Sequence, residues 1–122
     1  MILIIGGASQ GKLQFALRHT GCSLADVGED GTVADKLHLL IRESLEQDGD
    51  IGALLLRMLT KRAVICDEIG CGVVPVDAFE RRWRDEVGRA CQFLAGQAEQ
   101  VIRVTCGIPL YLKGNNDSGR VF

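Results

Sequence analysis

An apolar run, Met1 to Ile5, leads directly into Gly6-Gly7-Ala8-Ser9-Gln10-Gly11-Lys12-Leu13 and then into a helical pattern. This junction constrains the fold more than any other stretch. A short, continuous, β-branched run is what a strand buried on both faces of a parallel sheet looks like. The glycines permit positive φ and close backbone approach. Successive N–H groups can then surround an anion at the positive end of the following helix. The spacing is that of a phosphate-binding loop, G-x-x-x-x-G-K-[ST], with its last position altered. Lys12 would reach the β- and γ-phosphates of a triphosphate, whereas Leu13 stands where a hydroxyl would hold Mg²⁺. The bland alternative is a glycine-rich turn with a surface lysine. The strand before the loop and the helix after it favour phosphate.

The rest of the chain sets bounds on that reading. At 122 residues it has room for one domain. Its 47% apolar and 25% charged composition is that of a soluble globular protein. With a net charge of −2 and no segregated basic patch, nucleic acid is not an expected partner. No apolar run reaches the length of a membrane span, and no basic region precedes the N-terminal apolar residues as in a signal peptide. Cys22, Cys66, Cys71, Cys91 and Cys106 are odd in number and form no C-x-x-C pair. They fit a reduced cytoplasm, most of them as small buried apolar residues.

Strands are expected to alternate with helices. Lys12 to His19 reads as a helix, and Thr20 to Gly31 as a loop with a short strand near Ser23 to Val27. Thr32 and Asp35 resemble a helix start, followed by Leu37, Leu40, Ile41 and Leu45 at helical spacing. Gly49 ends that helix. Asp50 caps the next, with its stripe of Ile51, Leu54, Leu55, Met58 and Leu59. Ala63 to Cys66 is a second buried strand. A long helix is expected from Asp77 to Gln100, striped by Phe79, Trp83, Val87, Cys91, Leu94 and Ala98. Gly88 and Gly96 weaken it unless they pack closely on a neighbour. Val101 to Thr105 is a third strand. The domain spans 1–113, and 114–122 reads as a polar, disordered tail. The alternation implies an α/β fold with right-handed crossovers. Ligands bind such folds at the carboxyl ends of the strands. Gly6 to Lys12, Asp67, Glu68 and Gly107 fall on that rim.

Asp67-Glu68, at the end of the second strand, has the form of a metal-supporting acid beside a phosphate loop. Asp67 would hold Mg²⁺ through water, and Glu68 would act as a base toward a hydroxyl. A solvated acid pair opening a loop fits the same pattern.

Longer motifs carry a family resemblance. Cys66-Asp67-Glu68-Ile69-Gly70-Cys71-Gly72-Val73-Val74-Pro75 resembles the N-E-V-G-x-G-I-V-P segment of bifunctional adenosylcobinamide kinase/adenosylcobinamide-phosphate guanylyltransferases. Arg82-Trp83-Arg84-Asp85-Glu86-Val87-Gly88-Arg89 resembles their R-x-[FW]-R-D-x-x-G-R helix. Thr105 to Leu110 resembles their closing S-G-I-P-L strand and turn, and Gly6 to Lys12 their glycine loop. The resemblance covers the first twenty residues and the stretch from Val64 to Lys113. It implies a P-loop NTPase-like three-layer sandwich with a mainly parallel sheet, shortened relative to the family. It also implies a homo-oligomer that binds ATP or GTP with Mg²⁺ and acts on adenosylcobinamide in cobalamin biosynthesis. Gly6, Gly7, Ala8, Ser9, Gln10, Gly11, Lys12 and Leu13 would bind the triphosphate. Glu68 would lie near the reacting phosphates or the substrate.

Three departures stand out. Leu13 replaces the loop serine, and Asp67 replaces an asparagine. The stretch from Gly21 to Arg62 does not match the family. It lacks the D-x-E-M-x-x-R-I-x-x-H segment whose histidine accepts GMP. His19 and His38 have no such context: His19 suits a helix end, and His38 reads as structural. Guanylyl transfer through a protein histidine is therefore not expected, and a non-catalytic nucleotide-binding or partner subunit is the alternative. Glu80 with Arg84 and Arg81 with Asp85 are spaced as surface helix pairs. Arg82, Arg84, Arg89 and Cys71 have the chemistry to meet a ligand. Trp83 reads as core.

Overall fold

The computed structural model describes residues 1–69 and 77–114. Five strands form one sheet: β1 (Ile2–Gly6), β2 (Val33–Ala34), β3 (Ala63–Asp67), β4 (Gln100–Thr105) and β5 (Ile108–Lys113). Their order is β2-β3-β1-β4-β5. All neighbours are parallel except β4 and β5, which form an antiparallel hairpin. The helices are α1 (Lys12–Thr20), α2 (Leu37–Glu46), α3 (Ile51–Met58) and α4 (Ala78–Gln97). Helix α1 covers one face of the sheet, while α2, α3 and α4 cover the other. The result is the expected three-layer α/β sandwich with a mainly parallel sheet.

Side-chain alternation along the central strands explains the continuous apolar runs. Leu3, Val64, Cys66 and Val101 face α2 and α4, where Leu37, Ile41, Val87 and Leu94 complete a core. Ile4, Ile65, Ile102 and Val104 face α1 and pack on Phe15 and Ala16. Both faces of β1 and β3 are dry, so neither face carries polar residues before the strand-end Asp67. Among the described cysteines only Cys66 is fully buried, and Cys106 is exposed. The expectation of mostly buried cysteines was too broad.

The differences from the sequence reading lie at element ends. Ser23 to Val27 holds a 3₁₀ turn, Leu24–Asp26, because the Asp26 carboxylate folds back to accept the Ser23 N–H. Thr32 to Asp35 does not start a helix. Val33 and Ala34 are buried and pair with Ala63 and Val64 as the edge strand β2. Helix α2 starts only after Lys36, which sits in the left-handed region at φ 56°. Asp50 caps α3 as expected, accepting the Ala53 N–H. Helix α4 is shorter than its stripe suggests. Asp77 caps its start, and Ala98 turns extended so that the Glu99 N–H can reach the Met1 carbonyl. Lys113, the last residue of the expected domain, ends β5. That strand carries Pro109, which an edge strand tolerates. The tail beyond Gly114 lies outside the described residues.

Gly6 and Gly88 illustrate opposite reasons for a glycine. A Cβ at Gly6 would lie 2.4 Å from the Val104 carbonyl oxygen, so only glycine lets the end of β1 pass β4. Gly88 and Gly96 face open space, with nothing within 4 Å of an added Cβ. The close packing expected at both is absent. We predict that Gly88→Ala raises stability by about 0.5–1 kcal/mol. Gly6→Ala should lower it by roughly 1–3 kcal/mol through steric overlap. Urea denaturation of the two variants checks both signs.

Candidate functional site

The register of the sheet assembles the site. Gly6 pairs with Asp67 across β1 and β3, which places the glycine loop and the strand-end acid side by side. The loop is then pinned from the other side. The Gln10 side-chain oxygen accepts the Cys106 N–H at 2.7 Å, and the Gln10 carbonyl accepts the Gly107 N–H at 2.7 Å. Cys106 and Gly107 both have positive φ and form the tight β4–β5 turn. Gly107 thus joins the rim where expected. Gly11 precedes α1 in the left-handed region, and no side chain caps the first turn of that helix. Its amides are therefore available to an anion. A cavity of about 350 Å³ opens along Ala8 to Gln14 and is bounded by Asp35, Lys36, Ile65 and Asp67. A larger apolar groove of about 650 Å³ lies between α3 and α4, against Leu55, Leu56, Ala90 and Phe93. It contains none of the loop.

Lys12 is buried, with 6% of its side chain exposed. Its ammonium donates to the Gly7 carbonyl and pairs with Asp67 Oδ1 at 2.9 Å. The other Asp67 oxygen faces His38 Nε2 at 3.4 Å. The Asp67 backbone N–H donates to His38 Nδ1 at 3.1 Å. With Nδ1 accepting, the neutral imidazole bears its proton on Nε2. Its carbonyl accepts the Trp83 indole N–H at 2.8 Å. Trp83 is half-buried beside the core, as expected, and its ring lies under the Arg42 guanidinium. Arg42 makes a two-pronged pair with Glu80, at 2.6 and 3.1 Å, which fastens α2 to α4. Glu80 is thus engaged by Arg42, where the sequence had suggested Arg84. Among the described residues, Arg84 Nη1 is buried without a hydrogen-bond partner.

Two expected roles change. Asp67 has one carboxylate oxygen paired with Lys12 and the other 3.4 Å from the His38 ring, and Leu13 packs its side chain beside the α1 core. Among the described residues no cluster of His, Cys, Asp and Glu could hold a metal ion. These described residues do not ligate Mg²⁺ directly, and a Mg²⁺ held through water at Asp67 would share that carboxylate with Lys12. Glu68 is held by the Arg103 guanidinium, at 2.8 Å to Oε1 and 2.9 Å to Oε2, and does not border the cavity. A carboxylate so engaged is not poised as a base. Sequence reasoning missed Asp35 and Lys36, which border the cavity, and Arg103 and His38. The signal for Asp35 was available: it follows two buried apolar residues at a strand end. His19 caps no site; it stacks on Phe15 and meets Gln100 at 2.8 Å. Gly70 to Pro75, including Cys71, lies outside the described residues.

A mainly parallel sheet, a glycine loop on its carboxyl rim and a buried lysine in that loop define an α/β protein of the P-loop NTPase class. Residues 24–112 match the family described as cobinamide kinase / cobinamide phosphate guanyltransferase. The chain belongs to that family. The match takes in the stretch from Leu24 to Arg62, correcting the expectation that the middle of the chain is unrelated. It begins after the glycine loop, whose reading stands on its own geometry. The chain is 38% identical over 79 residues to the bifunctional adenosylcobalamin biosynthesis protein CobP of Pseudomonas aeruginosa, covering 62% of this chain and 46% of that protein. It is 37% identical over 57 residues to the bifunctional adenosylcobalamin biosynthesis protein CobU of Salmonella typhimurium, covering 47% of this chain and 32% of that one. Each match spans less than half of the relative. No helix among the described residues is long and apolar enough to cross a membrane.

Burial pushes the His38 proton affinity down, and Lys12 adds to this, against the upward pull of the Asp67 carboxylate. Asp35 and Lys36 act in opposite senses more weakly. With the folded value below the ordinary 6.5, the unfolded chain binds the proton more readily. The stability contributed by neutral His38 is complete above about pH 6.5 and declines as the pH falls below it. The urea midpoint should fall more steeply between pH 7 and pH 5 in the wild type than in His38→Gln. Equal slopes would show that His38 is not held neutral.

Proposed function

We propose that this chain binds a nucleoside triphosphate, ATP or GTP, through Gly6 to Leu13, and that it serves the kinase half of its family's chemistry. The observation that carries this reading is the buried Lys12 ammonium in the mouth of the loop, at the uncapped start of α1. The β- and γ-phosphates would lie over the loop amides, with Lys12 and Lys36 as the cations beside them. The acceptor is the aminopropanol hydroxyl of adenosylcobinamide, whose oxygen takes the γ-phosphoryl group and gives up its proton as the nucleoside diphosphate leaves. Relatives named as adenosylcobalamin biosynthesis proteins support that substrate class. The guanylyl step is left out, because neither His19 nor His38 has the sequence context of the GMP-accepting histidine. The protein works in the cytoplasm as a homo-oligomer. Exposed Ile108, Leu110 and Leu112 on β5 supply apolar surface for association.

A second reading is favoured by Leu13. Without a hydroxyl in the loop, triphosphate binding would proceed without direct metal ligation, as in a non-catalytic nucleotide-binding or partner subunit. Calorimetric titration with ATP and GTP, each with and without Mg²⁺, tests both. Lys12→Ala should abolish binding, and wild-type affinity should change little when Mg²⁺ is omitted. Leu13→Ser should introduce a metal dependence of several-fold. No binding to the wild type at millimolar nucleotide would refute the proposal. Phosphorylated adenosylcobinamide, formed on incubation with Mg²⁺-ATP, would exclude the non-catalytic reading.

A further inference from the structure

Lys12 does not hold its position alone. An ammonium on a flexible four-carbon stem needs a fixed partner to have a fixed place. Asp67 is that partner, but the carboxylate torsion of an aspartate is broad, so one lysine contact does not fix it. His38 supplies the missing constraint at two points. Its Nδ1 accepts the Asp67 main-chain N–H at 3.1 Å, which locates the ring against the backbone of β3. Its Nε2 faces Asp67 Oδ2 at 3.4 Å, leaving Oδ1 for Lys12 at 2.9 Å. The ring is immobilised in turn, because His38 is 7% exposed and its carbonyl is bound by Trp83 of α4. It is absent from the lining of the loop cavity. It therefore acts on the loop only through Asp67.

We propose that His38 is a positioning residue for the loop lysine: by accepting the main-chain N–H of Asp67 and packing its ring against Oδ2, it leaves Oδ1 toward Lys12 and holds the ammonium at the anion site. The binding consequence rests on the nucleotide reading above, whereas the positioning itself does not. Two variants separate a positioning role from a packing role. His38→Gln keeps one acceptor and one donor, and His38→Leu fills the space with neither.

The experiment combines two readouts on wild type and both variants, with fold checked by circular dichroism. The first is the nitrogen NMR signal of the Lys12 ammonium, visible when proton exchange is slowed by a fixed, buried partner. The second is affinity for ATP and GTP. His38→Leu should lose the ammonium signal and about tenfold in affinity, the lower end of what removing an outer partner costs a ligand. His38→Gln should retain the signal and stay within about threefold of the wild type. A folded His38→Leu that keeps both, or a folded His38→Gln that loses as much as His38→Leu, overturns the proposal. Should His38→Leu not fold, the wild-type ring decides, because an Nδ1-protonated tautomer is incompatible with the grip. Wild type that binds no nucleotide yet shows the expected ammonium pattern sinks the nucleotide reading and supports the positioning. Normal binding with no pattern does the reverse.

Discussion

The Asp67 carboxylate is where the separate parts of this protein meet. It closes strand β3, pairs with the lysine of the loop after β1, and rests on a histidine of α2. Breaking such a pair by removing one partner costs roughly 3–5 kcal/mol when both ions are fully buried. Asp67 is a quarter exposed, so the cost here is smaller, but its direction is the same. Loop, sheet and helix are therefore not independent modules. A displacement of any one leaves a charge at the rim without its complement.

That dependence extends outward through ordinary packing. Helix α2 carries His38, and α2 is tied to α4 by the Arg42–Glu80 pair, the Arg42 stack on Phe79 and Trp83, and the Trp83 hydrogen bond. On the far side, Gln10 anchors the loop to the β4–β5 turn. The glycine loop is gripped at both edges while its centre remains open, as befits a rim that must admit an anion without reorganising.

The parts legible in the sequence were those fixed by local pattern. β1 and β3 are buried on both faces, and an unbroken apolar run says so directly. The helices follow from stripes at 3.6-residue spacing, and the cap at Asp50 from its chemistry. β2 was not legible, because two residues have no periodicity. The start of α2 was hidden because Lys36 takes a left-handed conformation that nothing in its own chemistry announces. The loop itself was legible from glycine spacing. Its partners were less so: His38 lies 29 residues from Asp67, and Arg103 lies 35 from Glu68. Contacts of that range are set by sheet order, and the order β2-β3-β1-β4-β5 is a tertiary fact.

Leu13 and Asp67 are best understood together. Where a loop supplies a hydroxyl to a metal, the neighbouring strand end sits beside a divalent cation. Here the hydroxyl is replaced by an apolar side chain that packs beside Phe15 and Ala16, and the asparagine of the resembling motif is replaced by a carboxylate. A new negative charge beside an anion site opposes phosphate unless it is compensated. The compensation is already in the fold: Lys12 takes one oxygen, and the His38 ring packs against the other. If the ammonium shifts toward a phosphate, the His38 ring still bounds Asp67 on its other side. The two departures from the resembling family are thus physically coupled. A site with less direct metal ligation rests its charge balance on protein groups, and His38 is one of them.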